Sequence, residues 1–283
     1  MNFIVGLIIV IGSVIGGYIL SHGKIEVLWQ PYELLIIFGA AVGSFFIGSS
    51  GKLKKDVLKS CKILLKGSPF KKKDYLELLC LLYATFKLMR SKGMLEMEAH
   101  IEHPHNSSLF GNYPTFMKNH HAVNFLCDYI RLMTMGVEDH YKLEDLMDRE
   151  IDVHKKEGEH ISHSIVNLAD GMPALGIVAA VLGVIITMGS ITEPPEVLGE
   201  HIGAALVGTF LGVLLSYGIF APVGRYIGDY KADEVEYLRC IKIALIAHLK
   251  GLAPAVSVEF ARTALTLHEK PEFSEVEQAC SSS

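Results

Sequence analysis

The chain has 283 residues, half of them hydrophobic, with 26 lysines and arginines against 31 aspartates and glutamates and a net charge of −5. With no basic-aromatic cluster beside that mild acidity, nucleic-acid binding is excluded. Apolar runs of span length within so long a chain point instead to an integral membrane protein with a sizeable soluble portion.

In chain order, the first apolar run covers 3–20 and the second 34–47. A bilayer core needs about 20 apolar residues, which the second run reaches once Pro31–Glu33 stand at its outer mouth. The first run lacks a basic leader, is too long and has no A-x-A-like exit, so it reads as a span rather than a signal peptide. A polar insert follows. Asp74 can cap a leucine-rich helix running to about Lys92, and Glu77 and Lys87 interrupt it, which predicts a buried helix of a soluble domain rather than a fifth span. A Pro/Asn/Ser/Gly-rich loop occupies 104–114. The residues 121–135 predict a helix stopped by Gly136, and 143–170 a charged helix leading directly into a third apolar run at 172–191. The fourth run is 202–223, and 225–250 predicts a last long helix, ended by Gly251 and Pro254. No strand alternation of any length appears.

The expected fold is all-α: a polytopic membrane protein with four transmembrane helices and a helical cytoplasmic domain. Its expected parts are a first transmembrane hairpin at 1–49, a cytoplasmic helical domain at 50–170, a second transmembrane hairpin lining an ion path at 171–223, and a cytoplasmic helical tail at 224–283. Lysines and arginines set the orientation: 18 lie in 50–170, seven in 224–283, and Lys24 is the remaining one. The positive-inside rule puts both termini in the cytoplasm. All five cysteines then face a reducing compartment, so no disulfide framework is expected.

None of the four runs carries an ionisable group at depth, and the nearest carboxylate, Glu33, lies at a segment end. A chain that relayed ions by itself would keep such a group in its spans. Either this chain moves no ions or a second chain brings the titrating group. The second hairpin instead carries stripes of small residues. Pro173, Gly176, Ala180, Gly183 and Thr187 form one. Ala204, Gly208, Gly212 and Ser216 form another, beside Ala205, Thr209, Val213 and Tyr217. Small stripes let helix backbones approach closely in lipid. One stripe is accounted for by packing within the hairpin; two suggest several copies surrounding something. Pro173 and Pro222 stand at matching cytoplasmic ends of the third and fourth runs, either terminating them or acting as paired hinges. The charges Arg90, Lys92, Glu96, Glu98, Asp148, Arg149 and Glu150 read first as solvated surface. His100, His103, His105, His120 and His121 match no zinc spacing, and neither a nucleotide-binding glycine loop nor a nucleophile–base arrangement is present, so neither a metal site nor an enzyme is expected.

Several segments are recognisable in order: GGYIL from Gly16, GKLKK from Gly51, KLMRSKGMLEMEAHIEHP from Lys87, DYIRLM from Asp128, LMDREID from Leu146, GMPALGIVAAVLGVI from Gly171, GAALVGTFLGVLLSYGIFAPVG from Gly203 and VEFAR from Val258. On a four-span frame they resemble the A-subunit (MotA) family of bacterial flagellar motor stators, within the MotA/TolQ/ExbB group of proton channels. The resemblance implies a homo-oligomer, a pentamer, in the inner membrane around a dimer of MotB-like B subunits that brings the ion-binding aspartate. The proton is then cargo, and no cofactor is needed. It implies that Arg90 and Glu98, with Glu150 as a third, engage the rotor protein FliG. Pro173, Pro222 and Asp170 match coupling positions, and Ala180, Thr209 and Tyr217 match the ion path. Alanine at 180, where sodium-type members tend to carry threonine, favours protons. Ala99 and His100 depart from the arginine–aspartate pair that relatives often carry. The competing reading is a TolQ/ExbB-like energiser of outer-membrane processes, which typically has three spans.

Overall fold

The computed structural model describes residues 2–66 and 70–281, and every regular element among them is helical. The chain forms two compact units, one from 1–67 and 157–230 and the other from 68–156 and 231–283.

The first unit opens with helix α1 (Asn2–Leu20), a short α2 (Ile25–Leu28) and α3 (Pro31–Gly48). Pro31 at the start of α3 suits a helix N-terminus, where a missing N–H leaves no bond unmade. Most of the large side chains of α1 point outward, Ile8 and Ile9 being more than half exposed. That is the expected surface of a helix solvated by lipid tails. Helix α4 (Gly51–Ser60), capped by the Ser50 hydroxyl oxygen accepting from Leu53 N–H at 3.2 Å, and α5 (Ile63–Lys66) complete the first stretch.

The second unit begins with α6 (Lys72–Lys92), α7 (Met94–Glu102) and, after two 3₁₀ turns at Pro104–Asn106 and Phe110–Asn112, α8 (Pro114–Met117) and α9 (His120–Thr134). Asp74 serves α6 from its third position, not as the cap itself: its carboxylate accepts from the Lys71 N–H at 2.9 Å. Tyr75, Leu78, Leu79, Leu81, Leu82 and Phe86 are fully buried, so α6 is the core of a water-soluble body. Each such side chain contributes about 1.5–3 kcal/mol of transfer free energy. Glu77, which interrupts the leucine run, accepts from the backbone N–H groups of Thr115 and Phe116 at 2.6 and 3.0 Å. It thereby satisfies the otherwise orphaned first donors of α8.

Helix α10 runs unbroken from His140 to Gly189, with Pro173 inside it. Helix α11 (Pro195–Leu215) passes through one π-helical turn, Ser216–Phe220, into α12 (Ala221–Leu249). The third and fourth spans are thus halves of long rods, and neither proline terminates its helix. Gly136 and Gly251, at φ +89° and +84°, stop α9 and α12 where expected. Helices α13 (Pro254–Thr263) and α14 (Phe273–Ser281) then pack on α6. Among the described residues, four helices are long and apolar enough to cross a membrane, and α6 is not among them.

Candidate ion-path and rotor-facing residues

In the first unit, the third and fourth spans meet at their glycines. A methyl on Gly176 would lie 2.8 Å from the carbonyl oxygen of Gly208 and 3.1 Å from the Cα of Gly212. One on Gly212 would lie 2.8 Å from the Met172 carbonyl oxygen, and one on Gly183 2.8 Å from the Cβ of Ala205. Backbone touches backbone, so Cα–H groups face carbonyl oxygens and supply weak polar contacts that replace a hydrophobic drive absent in lipid. The same approach continues beyond the spans, where the Ser162 hydroxyl donates to the Gly224 carbonyl at 2.8 Å. Helix α3 seals the other side, with Ile37 and Ala41 buried in a cluster with Met172 and Ala179.

That packing consumes Gly176, Ala205, Gly208 and Gly212, and it turns a different edge outward. Ala180 and Thr209 straddle the crossing and stay half-buried. Val213 is 43% and Tyr217 60% exposed. Of the three predicted ion-path residues, Ala180 and Thr209 therefore stand at the glycine crossing, while Tyr217 lies five residues beyond Gly212, mostly exposed. No acidic or basic residue occurs in 171–191 or 202–223. Thr187, the polar member of the α10 stripe, is satisfied locally by donating to the Gly183 carbonyl at 2.8 Å. Glu33, in the first turn of α3, buries Oε2 without a hydrogen-bond partner.

Of the predicted coupling positions, Pro222 follows an irregular turn of backbone, whereas Pro173 and Asp170 lie inside the unbroken α10. Pro222 has no N–H for the carbonyl four residues back. Just before it, the Ala221 N–H reaches five residues back to the Ser216 carbonyl, closing the π turn. Tyr217 rides on this turn, and the Ser216 hydroxyl is buried beside it without a partner. Single π turns are frequent at functional sites. The sequence signal for this one was Pro222 itself, read only as a terminator or hinge. Asp170 is exposed three residues before Pro173. Beside it, a cavity of about 310 Å³ is lined by His160, Ser164, Asn167 and Gly171 among others.

In the second unit, Arg90 is exposed in the last turn of α6 and Glu98 exposed on α7, with only the Gly93 turn (φ +87°) between the two helices. Neither makes an ion pair among the described residues, whereas neighbouring Lys92 and Glu96 pair at 3.6 Å. Glu150 differs. Its Oε2 accepts from the hydroxyl of buried Tyr129 at 2.7 Å, so this carboxylate also braces α9 against α10. His100 Nδ1 faces the Ser107 hydroxyl at 2.8 Å, tying that position to the loop. Behind Arg90, His248 stacks on Phe86 at 4.4 Å; burial first and the Arg90 charge second hold its imidazole below the usual range.

Sequence reasoning missed one cluster. Glu234, 7% exposed at its side chain, takes Lys231 Nζ at 2.8 Å and His154 Nε2 at 3.1 Å. The histidine contact is close but not aligned as a hydrogen bond. Burial alone would raise the Glu234 carboxyl, but His154 and Lys231 outweigh it and bring it to about 2. The His121 ring lies 5.2 Å from that of His154, and burial lowers its basicity. The i,i+3 spacing of Lys231 and Glu234 was the available signal; on a charged helix it reads as solvated surface. Among the described residues no group of three or more His, Cys, Asp or Glu side chains is arranged to hold a metal.

Residues 4–93 match the family described as Motility protein A N-terminal, and residues 118–240 match the MotA/TolQ/ExbB proton channel family. The chain is 40% identical to Motility protein A of Escherichia coli (strain K12) over 98% of its own length and 94% of the relative's. The chain belongs to the motility protein A family. Chemotaxis protein LafT of Vibrio parahaemolyticus is a further relative of this MotA-type chain, 33% identical over 98% of each. The fold matches C. jejuni MotAB with a TM-score of 0.78 at 20% identity, covering 94% of this chain and 96% of that one. It also matches the flagellar MotAB stator complex from Bacillus subtilis, with a TM-score of 0.73 at 22% identity, covering 90% and 92%. As a MotA-family member the chain is a stator subunit of the bacterial flagellar motor, a multi-pass membrane protein of a proton channel family. The TolQ/ExbB-like alternative is not favoured, because a MotA-specific N-terminal region and four candidate spans are both present.

Proposed function

We propose that several copies of this chain, five by the resemblance, form a ring in the cell inner membrane around a MotB-like dimer, with both termini in the cytoplasm. The carrying observation is the outward edge of the second hairpin. Ala180 and Thr209 stand at a glycine crossing and Tyr217 is exposed beyond it, in spans without acid or base, so a proton passing there binds a carboxylate from the partner. Neutralising that carboxylate lowers the cost of moving it along the apolar wall, and the ring steps. One charge crossing about 100 mV releases roughly 2.3 kcal/mol, several times thermal energy.

Pro173, Pro222 and the π turn are the compliant points that pass the step into the rods, with Asp170 at the inner end of the third span. Arg90 and Glu98, exposed and without ion-pair partners among the described residues, meet opposite charges on FliG, and Glu150 adds a braced third contact. Exposed pairs are worth about 0.2–1 kcal/mol, which suits contacts made and broken at each step. Nothing in this cycle asks the chain for covalent catalysis or a resident cofactor.

The rotor contact is tested by Arg90→Glu. Torque measured on tethered cells should fall to near zero and return in part with a charge reversal on FliG; torque indifferent to both changes contradicts the contact.

A further inference from the structure

Cys80 and Cys280 are 200 residues apart in sequence, yet their sulfurs lie 3.3 Å apart, the Cys280 S–H donating to the Cys80 sulfur. Cys80 is on the buried face of α6 and Cys280 is the penultimate residue of α14, at 5% and 7% exposure. A cavity of about 250 Å³ opens onto Cys280, lined also by Tyr83, Val258, Phe273 and Val276, and Cys80 adjoins it through the 3.3 Å sulfur contact. One water occupies about 30 Å³ of liquid, so the cavity has volume for a peroxide molecule beside Cys280.

We propose that Cys80 and Cys280 are a redox-active dithiol that takes hydrogen peroxide as its oxidant and closes into a disulfide fastening α14 to α6. The Cys80 thiolate attacks one peroxide oxygen and the O–O bond breaks. Hydroxide leaves and collects a proton as water, which leaves a sulfenic acid on Cys80. The Cys280 sulfur then attacks that sulfur, the S–S bond forms, the S–O bond breaks, and the second water departs with the Cys280 proton. Two thiols and one peroxide give one disulfide and two waters, with two electrons passing from sulfur to oxygen.

The order of attack follows from the pair's asymmetry. The hydrogen bond from Cys280 lowers the Cys80 thiol against the opposing effect of burial, and the same bond raises Cys280. The thiolate is the nucleophile, so Cys80 reacts first. The other cysteines lack this arrangement. Burial pushes Cys127 and Cys240 up to about 12 each, and Cys61 is exposed without a thiol neighbour among the described residues. In a reducing cytoplasm the pair rests as free thiols and closes only under oxidant. This inference stands apart from the stator reading and does not need it.

The test treats membranes containing the full chain with graded hydrogen peroxide. Remaining thiols are then blocked with N-ethylmaleimide under denaturing conditions, and the digest is weighed by mass spectrometry. The Cys80 and Cys280 peptides should appear joined, two hydrogens lighter than their sum, and separate again with dithiothreitol, while Cys127 and Cys240 keep their maleimide. In Cys280→Ser, Cys80 should stop at a sulfenic acid that dimedone traps. Finding both thiols still alkylated at a peroxide level that consumes Cys61, or Cys80 joined to any other cysteine, overturns the proposal.

Discussion

The two units are held together by opposite means. In the second, aqueous unit the core is large side chains: Tyr75, Phe86, Phe125 and Tyr129 fill it together with the leucines of α6. In the first unit the tightest contacts are made where side chains are missing, at Gly176, Gly183, Gly208 and Gly212, while Ile177, Ile185 and Ile186 point outward. Water rewards burying apolar surface, so the aqueous unit fails when volume is removed. Lipid tails are as apolar as isoleucine, so the membrane unit depends on close backbone approach and fails when volume is added. Charge follows the same division. The buried Glu234 cluster lies in the aqueous unit, and the second hairpin's spans hold no acid or base.

The largest expected effect breaks that charge arrangement. Glu234→Gln leaves the partly buried Lys231 without its anion and His154 without its carboxylate neighbour, at a cost of about 3–5 kcal/mol near neutral pH. The Glu234 carboxyl lies at about 2 against an ordinary 4.5. Its stabilisation is therefore complete above pH 4.5 and is lost as pH falls towards 2. Thermal melts of the wild type should drop over that window, and the variant should lack this part of the drop. Next, Leu79→Ala should cost about 2–5 kcal/mol, seen as faster hydrogen exchange in α6 of the full chain with α11 unchanged. Gly176→Ala should cost about 1–3 kcal/mol through overpacking against the Gly208 carbonyl. The outward control Ile185→Ala should stay within about 0.5 kcal/mol. If Gly176→Ala proved as harmless as Ile185→Ala in detergent-resistant assembly, the backbone crossing would not be what holds the hairpin.

How much of this was legible in the sequence divides along similar lines. The four spans and the extent of α6 were readable because each is a local property: a long apolar window, or a leucine run broken by Glu77 and Lys87. The stripes on α10 and α11 were readable as periodicity. Their use was not, because spacing does not say which of Gly208 and Thr209 meets the neighbouring helix. Pro173 and Pro222 misled in one respect. Proline at a span end reads as a stop, yet both rods continue, and the π turn ahead of Pro222 absorbs the missing donor. Pairings between distant segments, such as Cys80 with Cys280 or His154 with Glu234, left no local trace. Arg90 and Glu98 were distinguished from ordinary surface charge by resemblance alone.

The central claim is that the titrating group for proton passage is not in this chain. Proton uptake should be measured in liposomes under a membrane potential, with the chain alone and with a co-reconstituted single-span partner, once bearing its membrane aspartate and once with that aspartate changed to asparagine. The account predicts uptake only with the aspartate-bearing partner. Uptake by the chain alone, or undiminished uptake with the asparagine partner, would contradict it.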